Sequence, residues 1–583
     1  MKKNLLFSCL LLFSAMASAQ TYKNVYSAKK DWSRIYDYFH LDDVVSPFNG
    51  LTLDDSGSVY VTGTSIVDSL GKTSAFYNKY GPDGKLLWNF ADSIGITNGT
   101  AILWDSIQQR IYGSGANITS FGGVGLSGEY VLNMLGSGGK YIGEFLWPDP
   151  NVTKRLPHYA SANNMCQDKN GKIYITGEIS GYLSSSVLHH NMLTTMKIDG
   201  SDTVNAIKWM NSYDSTNLLE ETGQFIALDP HKNVIVAGIR GDSAKYKENF
   251  SLLCVKYDSS GNIKWSRKFI NEDTFYLTSA SGLVVSNSGS AYMSGNIPNK
   301  NAQSVDGIIL KYTNQGKLAW TKRMSSVMLH TQDAACNGLA LDKSGNILAI
   351  GFFDNDSGEY ATLLKLDSNG QQIWMDTLQD PYNGTSITQG IAMTQDDTGN
   401  IYITGTRGDN QTFLDVFTAR YNSAGQKQWY TRYNDSTLSY NSPSEIMLDK
   451  KGNVIVAGSH NGDTATGADI LVLKYSQYMT KVKVHNSGIS ENTGQFQDID
   501  LFPNPFTNQL NGTINLNEAS DVNIGIFDIT GREVKVINYR DLQAGKNNFG
   551  IRANDLEKGL YFYKCTIENQ SGTTTLNGKI VKE

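Results

Sequence analysis

The sequence is poor in the residues that metal, nucleic-acid and membrane chemistry require. It contains 8 His, 5 Cys and 11 Pro among 583 residues, and its formal net charge is −6. No two cysteines have the Cys-x-x-Cys spacing of common metal sites. No basic block is present to bind a phosphate backbone, so we expect no nucleic-acid partner. After the first residues no segment has about 18 apolar residues in a row, so we expect no transmembrane segment.

The motifs of nucleophilic, metal-dependent and nucleotide-dependent enzymes are also missing. The sequence has no Gly-x-Ser-x-Gly, His-Glu-x-x-His or phosphate-binding glycine loop in its required setting. We therefore assign no catalytic residue, no metal ligand and no cofactor, and we favour a binding protein over an enzyme. Three alternatives stay open, namely a glycan-active hydrolase, a quinoprotein-like dehydrogenase and a structural surface component.

The N-terminus has the pattern of an export signal. Two lysines precede an apolar run from Leu5 to Phe13, and small residues follow up to Ala19. We predict a signal peptide over residues 1–19, cleaved between Ala19 and Gln20. The cysteines that remain lie in separate apolar strand patterns, so we expect buried free thiols at Cys166, Cys254, Cys336 and Cys565.

A strand pattern that ends in glycine returns about every 57 residues along most of the chain. One copy is Ile401-Tyr402-Ile403-Thr404-Gly405, and the eight copies end at Gly63, Gly115, Gly177, Gly238, Gly295, Gly351, Gly405 and Gly458. Most copies follow an Asp-x-x-Gly turn, in which Asp bonds the backbone and Gly adopts positive φ. The turns lack the further carboxylates of a calcium loop, so we interpret them as hairpin turns.

A second element in each repeat is an apolar strand, a turn and a Gly-x-x-x-Trp segment. The tryptophans in this position are Trp32, Trp88, Trp147, Trp209, Trp265, Trp320, Trp374 and Trp429. At a fixed place in a repeat, such a ring is expected to bury its face against a neighbouring sheet. The eighth repeat lacks its own Trp after Tyr475, whereas Trp32 precedes the first repeat. We therefore predict an all-β fold: an eight-bladed β-propeller, with seven blades as the fallback, closed by an N-terminal strand.

The repeats resemble the SBBP-type β-propeller repeats of bacterial surface proteins. The portion from Lys256-Tyr257 through Gly261 to Trp265 also resembles the tryptophan-docking motif of quinoprotein-like propellers. The resemblance covers roughly residues 26–478 and implies a fold rather than a function. We assign residues 20–479 to the propeller.

The C-terminal part has a different residue pattern from the repeats. Residues 480–498 are polar and patternless and predict a linker. Residues 499–583 contain six or seven short strand patterns, which predict a small β-sandwich. Motif residues in this part are Pro503, Asn504, Pro505, Asp528, Gly531, Gly559, Tyr561 and Lys579. They closely resemble the type A C-terminal sorting domain of the type IX secretion system of Gram-negative bacteria.

That resemblance implies export through the periplasm, with the secretion machinery and its sortase as partners of this domain. The protein would then be secreted or held at the outer cell surface. Loops after the glycine-ended strands carry acids at comparable positions, at Asp242, Asp409 and Asp463. These acids would share one face of a propeller and form an acidic rim for a cation or a basic partner. We favour the alternative interpretation, which is that they are exposed turn aspartates. For the loop face as a whole, a glycan or a surface protein is the ligand we expect.

Overall fold

The computed structural model describes residues 21–583 with gaps at 38–41, 47–48, 68–71, 93–95, 122–124, 148–157, 182–189, 203–205, 216–219, 243–248, 271–277, 299–303, 325–332, 356–357, 379–386, 410–411, 434–438, 464–466, 485–498, 517, 530–531 and 570–571. The chain divides into two compact units, one of Tyr22–Lys483 and one that contains Val484–Glu583. The predicted signal peptide and its cleavage site at Ala19 and Gln20 lie outside the described residues. The described residues are strands, turns and irregular segments without a helix.

The first unit is built from antiparallel sheets whose strands follow one another along the chain. It starts with β1 (Thr21–Tyr36). The first four sheets are β2 (Asp43–Val45), β3 (Leu51–Leu53), β4 (Val59–Ile66), β5 (Thr73–Tyr80) and β6 (Leu86–Ala91); β7 (Ile96–Asp105), β8 (Arg110–Phe121), β9 (Gly125–Gly136) and β10 (Tyr141–Trp147); β11 (His158–Gln167), β12 (Ile173–Gly181), β13 (His190–Ile198) and β14 (Ile207–Tyr213); and β15 (Glu221–Leu228), β16 (Val234–Asp242), β17 (Asn249–Tyr257) and β18 (Ile263–Phe269).

The next sheets repeat this arrangement. The fifth to seventh are β19 (Ser279–Val285), β20 (Ala291–Pro298), β21 (Val305–Tyr312) and β22 (Leu318–Met324); β23 (Ala334–Leu341), β24 (Ile347–Asn355), β25 (Gly358–Leu366) and β26 (Gln372–Leu378); and β27 (Ile387–Gln395), β28 (Ile401–Asp409), β29 (Thr412–Tyr421) and β30 (Lys427–Tyr433). The eighth sheet contains β31 (Tyr440–Leu448), β32 (Val454–Asp463) and β33 (Gly467–Val484), and its order is β1-β33-β32-β31. The N-terminal strand therefore supplies the outer strand of the last sheet.

Each glycine-ended strand of the sequence is the second strand of its sheet, and its side chains are almost fully buried. Alternate residues face the two neighbouring sheets, so both sides of the strand are apolar. The Val234–Val236 segment of β16 illustrates this, since all three side chains are inaccessible to solvent. Cys254, Cys336 and Cys565 are buried free thiols, as predicted, and Cys166 is a half-buried one.

Six of the eight repeated tryptophans pack on a glycine of the next sheet, namely Trp32, Trp88, Trp209, Trp265, Trp320 and Trp374. A Cβ atom placed on Gly316 would lie 2.7 Å from the ring of Trp265, and the φ of that glycine is 80°. Only glycine has both the close approach and the left-handed conformation that this turn requires. The ring also donates from Nε1 to the carbonyl of Asn314 at 3.0 Å. The prediction of structural tryptophans is confirmed for this pair.

Buried ion pairs inside the sheets were not foreseen from the sequence. In four sheets the lysine of a Lys-Tyr or Lys-Leu segment reaches the aspartate of the turn in its own sheet, as in Lys256 Nζ to Asp229 Oδ2 at 2.8 Å, where both side chains are inaccessible. Equivalent pairs join Lys79 to Asp54, Lys365 to Asp342 and Lys474 to Asp449. The aspartates thus have two roles, because they also accept backbone N–H groups of their turns. Charges buried at this depth require such a partner.

The second unit has two sheets over a single core. Its strands are β34 (Ile499–Phe502), β35 (Gln509–Leu516), β36 (Ser520–Phe527), β37 (Glu533–Leu542), β38 (Gly545–Arg552), β39 (Gly559–Asn569) and β40 (Gly572–Lys582), arranged as β34-β35-β38 and β37-β36-β39-β40. Leu510, Ile524 and Ile567 are among the side chains buried in the core. The strand β33 begins in the first unit and continues to Val484, past the predicted start of the linker at residue 480.

Candidate functional site

A cavity of about 510 Å³ lies among the first strands of the sheets in the first unit. Residues of the first sheet and of the third to eighth sheets line it. Its apolar wall includes Phe225, Leu283 and Met393, and its polar wall includes Asn164 and Asn337. A volume of this size is typical of sites that bind a small ligand or the end of a larger one. We treat this axial cavity as the candidate functional site.

A β-bulge lies in the first strand of the second to eighth sheets. The register between first and second strand shifts at Gly99/Ala101, Ala162/Asn164, Gly223/Phe225, Ala280/Gly282, Cys336/Gly338, Gly390/Ala392 and Pro443/Glu445. A bulge leaves one residue unpaired and turns its side chain away from the regular alternation. The bulged residue is thereby free to reach a neighbouring sheet.

Most bulged residues bond the backbone of the next sheet. The contacts run from Thr100 Oγ1 to the carbonyl of Ala162, from Asn163 Nδ2 to that of Gly223, from the amide of Ala280 to Gln224 Oε1, from Ser281 Oγ to the carbonyl of Cys336, from Asn337 Nδ2 to that of Gly390 and from Ser444 Oγ to that of Val45. The seventh sheet has Ile391 at this position, which has no hydrogen-bonding group. These bonds hold the walls of the axial cavity together.

The first sheet departs from this pattern, because the segment between β2 and β3 replaces a simple bulge. Ser46 Oγ donates to the carbonyl of Thr100. Asn49, with a φ of 65°, donates from Nδ2 to Asn164 Oδ1 at 3.0 Å and to the carbonyl of Met165 at 3.3 Å. The segment therefore links the first sheet to the second and third sheets at the wall of the cavity.

Glu445 is the one carboxylate among the described residues that line the cavity. Its Oε1 accepts the amide of Gly50 at 2.9 Å, and the amides of Asn49 and Leu51 also bond the carboxyl group. Loss of surrounding water raises the pKa of Glu445 to about 8, although the three amides act in the opposite direction. At neutral pH the carboxyl group is therefore largely protonated, and the described cavity wall has no net charge.

The predicted loop acids lie at equivalent strand ends of three sheets. Asp242, Asp409 and Asp463 are the last residues of β16, β28 and β32, next to the hairpin between second and third strand. Their backbones pair with Asn249, Thr412 and Gly467. Their side chains are outside the described part of the structure, so an acidic face formed by them stays a prediction.

Residues of the predicted sorting motif hold the ends of the second unit together. Between Pro503 and Pro505, Asn504 bonds the last strand in both directions, from Nδ2 to the carbonyl of Lys579 at 2.9 Å and from the amide of Val581 to Oδ1 at 2.8 Å. The following Phe506 is buried and pairs its backbone with Val581 and Glu583. The segment from Pro503 to Phe506 thus attaches the end of the first strand of this unit to its last strand.

The other motif residues have different environments. Asp528 Oδ1 and Oδ2 accept from the amide and Nε of Arg532, whereas Gly531 is outside the described residues. Gly559 begins β39, in which Tyr561 is buried and donates to the carbonyl of Glu557 at 2.7 Å. Lys579 is exposed. The buried lysine at this end is Lys582, which donates to the carbonyls of Ala553 and Leu556 and was not predicted.

The bulged residues and Glu445 were missed by sequence reasoning, although a signal exists. Each bulged residue lies five positions before the first residue of the turn of its sheet, as in Asn163 before Asp168 and Ser444 before Asp449. Residue types at this position vary, so the spacing rather than the identity carries the signal. Glu445 follows Ser444 directly.

Residues 500–583 match the model of the secretion system C-terminal sorting domain family. The protein is accordingly exported by the type IX secretion system, and it is secreted or located at the outer cell surface. No curated protein matches the chain. The described residues include no helix that is long and apolar enough to cross a membrane.

Similar solved structures share only a general likeness with this chain. They include the β-propeller domain of the Trilobed protease from Pyrococcus furiosus (9% identity, 65% of this chain, 96% of that chain, TM-score 0.33). The WD40 domain of SCAP from fission yeast has 8% identity, 77% and 97% coverage and a TM-score of 0.36. A polysaccharide lyase, the PL25 ulvan lyase, has 10% identity, 69% and 95% coverage and a TM-score of 0.38. At these scores the likeness carries no argument about blade number or activity.

Proposed function

We propose that the protein is an exported eight-bladed β-propeller that binds a glycan or a protein and performs no reaction of its own. The arrangement of the eighth sheet supports the propeller, since β1 from the N-terminus pairs with β33 from the other end of the unit. Contacts between the eighth and the first sheet support closure, including the bonds of Ser444 to Val45 and of Glu445 to Gly50.

The second sheet supports eight blades rather than the seven of the fallback. Its repeat is the degenerate one, with the glycine-ended strand Ile111-Tyr112-Gly113-Ser114-Gly115. The sheet is nevertheless complete, with four antiparallel strands from β7 to β10. It also takes part in the bonds along the cavity through Thr100.

The axial cavity is the observation that carries the binding proposal. Its wall offers amide and hydroxyl groups beside apolar surfaces, and its single described carboxylate is protonated near neutral pH. Sugar hydroxyls donate and accept hydrogen bonds, whereas the C–H faces of a sugar ring pack on apolar side chains. An uncharged sugar residue at the end of a glycan is the ligand that matches this wall, and a protein ligand would insert an uncharged side chain.

An enzyme is the second candidate, because of Glu445. A carboxyl group with a pKa of about 8 has the property of a general acid. Glycoside hydrolysis usually requires a second carboxylate about 5–9.5 Å away. Among the described lining residues Glu445 has no such companion, and for this reason we favour binding over hydrolysis.

Binding is tested with the purified full-length chain on a glycan array and against surface-protein extracts from the producing organism. Leu283→Trp fills the cavity, and we expect it to weaken binding of any ligand found by at least about tenfold. Leu318→Trp, on an exposed side chain of β22 at the opposite edge of the same sheet, is the matched control and should bind as the native chain does.

Two results would contradict the proposal. One is the absence of binding to every glycan and surface protein, and the other is undiminished binding by Leu283→Trp. Release of reducing sugar ends that is lost in Glu445→Gln would instead establish the hydrolase.

A further inference from the structure

Three carboxylates meet where the N-terminal strand leaves the eighth sheet and enters the first. Asp37 follows β1, Asp43 lies in β2 and Asp469 lies in β33. Each contributes a carboxylate oxygen, and these oxygens lie within 4.8 Å of one another. Asp43 and Asp469 are buried. Three like charges at this separation repel one another strongly unless a positive charge or protons compensate them.

Equivalent positions in other sheets show how the fold usually treats an aspartate here. Asp469 lies six residues before Tyr475, as Asp306 does before Tyr312 and Asp415 before Tyr421. Asp306 Oδ2 pairs with Arg323 Nη1 at 3.0 Å, and Asp415 pairs with Arg432. Both of these arginines belong to the fourth strand of their sheet, three residues after its tryptophan.

The eighth sheet has no arginine at that place. Three residues after Trp32 the outer strand has Ile35, which is exposed and uncharged. At this place the chain brings Asp37 and Asp43 to Asp469, so three carboxylate groups lie together.

A fourth oxygen lies beside the carboxylates. Ser65 pairs directly with Asp43 in the register of β2 and β4, so both side chains are on the same face of the sheet. Ser65 is fully buried, and its Oγ has no hydrogen-bond partner among the described residues. A buried hydroxyl without a partner is costly, and a bound cation would give its lone pairs a function.

We propose that Asp37, Asp43, Asp469 and Ser65 bind one Ca²⁺ ion. All donors are oxygens, which selects a hard cation, and they come from β1–β2, β4 and β33, whose irregular geometry suits Ca²⁺ better than the strict octahedron of Mg²⁺. The ion joins the end of the N-terminal strand to both sheets that it connects. Proteins outside the cell meet Ca²⁺ at concentrations that occupy sites with a Kd of about 10⁻⁴–10⁻³ M.

The test uses the purified full-length chain after dialysis against EDTA. Titration with CaCl₂, followed by calorimetry, should show a bound ion that Asp469→Asn removes or weakens at least about tenfold. Millimolar CaCl₂ should raise the melting temperature of the native chain by about 3 °C or more, with a much smaller rise in Asp469→Asn. Asp415→Asn is the matched control, because its aspartate has the same position in the seventh sheet and pairs with Arg432.

Asp37→Asn provides a second variant, since Asp37 is only half-buried and its replacement disturbs packing less. It should also lower the affinity for Ca²⁺. The proposal is overturned if the native chain binds no Ca²⁺, or if both variants bind it as the native chain does.

His460 defines a further outcome that would overturn the proposal. It pairs with Asp469 in the register of β32 and β33, and its Nδ1 lies 2.7 Å from Asn441 Oδ1. If a protonated His460 balanced the carboxylates in place of an ion, the stability of the chain would be the same in EDTA and in CaCl₂. A calcium site predicts a clear difference between the two.

Discussion

The fourth and eighth sheets have the same strand arrangement but take their outer strand from different parts of the chain. In the fourth sheet β15 to β18 are continuous, whereas the eighth combines β31 to β33 with β1. Their contacts with the next sheet are nevertheless alike. Trp265 donates to the carbonyl of Asn314 at 3.0 Å, and Trp32 donates to that of Pro82 at the same distance.

The arginines beside these tryptophans extend the likeness. Arg267 Nε donates to the carbonyl of Gly316 at 2.6 Å, and Arg34 Nε donates to that of Gly84 at 2.6 Å. The two guanidinium groups lie 5.8 and 5.6 Å from the centres of the rings of Trp265 and Trp32, respectively. Side-chain identity, rather than continuity of the chain, therefore determines how one sheet attaches to the next.

The largest expected effect is the loss of stability when the tryptophan of either sheet is removed. A second measurement, amide exchange, distinguishes the two sheets by their chain connectivity. Trp32→Ala and Trp265→Ala remove equally buried rings, and each should lower the free energy of unfolding by roughly 3–5 kcal/mol in guanidinium titrations. Only Trp32→Ala should also increase amide exchange along β1, because this strand is held in its sheet without a chain link to β33. Unchanged exchange in residues 21–36 would show that the other contacts of β1 suffice.

The second prediction concerns the contact of Glu445 with the first sheet. Its pKa is about 8 in the folded chain against an ordinary value of 4.5. Between these values the unfolded chain is ionised and the folded chain is protonated, so the free energy of unfolding falls as the pH rises. This group changes the free energy of unfolding by at most about 1.4 kcal/mol per pH unit. We expect a smaller change, because Glu445 is only half-buried and solvent screens it.

The measurement compares denaturation between pH 5 and pH 9 in the native chain and in Glu445→Gln. The amide matches the protonated acid in shape, so the variant should lose this part of the pH dependence and be the more stable chain at pH 8. Asp258→Asn in the fourth sheet is the control, since hydrogen bonds hold the pKa of Asp258 below its usual range and leave it ionised throughout. If the free energy of unfolding depends on pH in the same way in the native chain and in Glu445→Gln, the raised pKa of Glu445 is contradicted.

The smallest expected effect compares two bulge contacts along the cavity. Ser281→Ala removes the short bond to the carbonyl of Cys336 and should cost about 1 kcal/mol. Ser444→Ala removes a bond of 3.4 Å to the carbonyl of Val45 and should cost less. Thermal denaturation of both variants gives the comparison, and a larger loss in Ser444→Ala would mean that the contact between eighth and first sheets is the stronger one.

Much of the strand pattern could be predicted because its causes are local. Alternation of apolar residues and the Asp-x-x-Gly turns identify strands such as β28 from a few adjacent residues. The packing role of the tryptophan at the end of each repeat could be predicted for the same reason. The displaced Trp32 could likewise be assigned to the last repeat. The sorting domain was recognisable from short motifs such as Pro503-Asn504-Pro505, which lie within a few residues of one another.

The axial cavity could not be predicted, since it depends on contacts between residues hundreds of positions apart. Glu445 is an ordinary acid in the sequence, and only the amide groups of Gly50 and its neighbours, together with the loss of water, raise its pKa. The cluster of Asp37, Asp43 and Asp469 likewise depends on residues that are far apart in the sequence. None of these residues has a nearby motif.

By itself the sequence determined the repeat, the strands, the turns and the export route, because periodicity, turn chemistry and a short family motif are properties of neighbouring residues. The tertiary structure alone decided which side chains meet between sheets. The bulges direct Asn163 and Ser281 towards the next sheet, and the N-terminal strand brings Asp37 to Asp469. Burial and proximity of charges act through space, and a linear pattern carries no record of them.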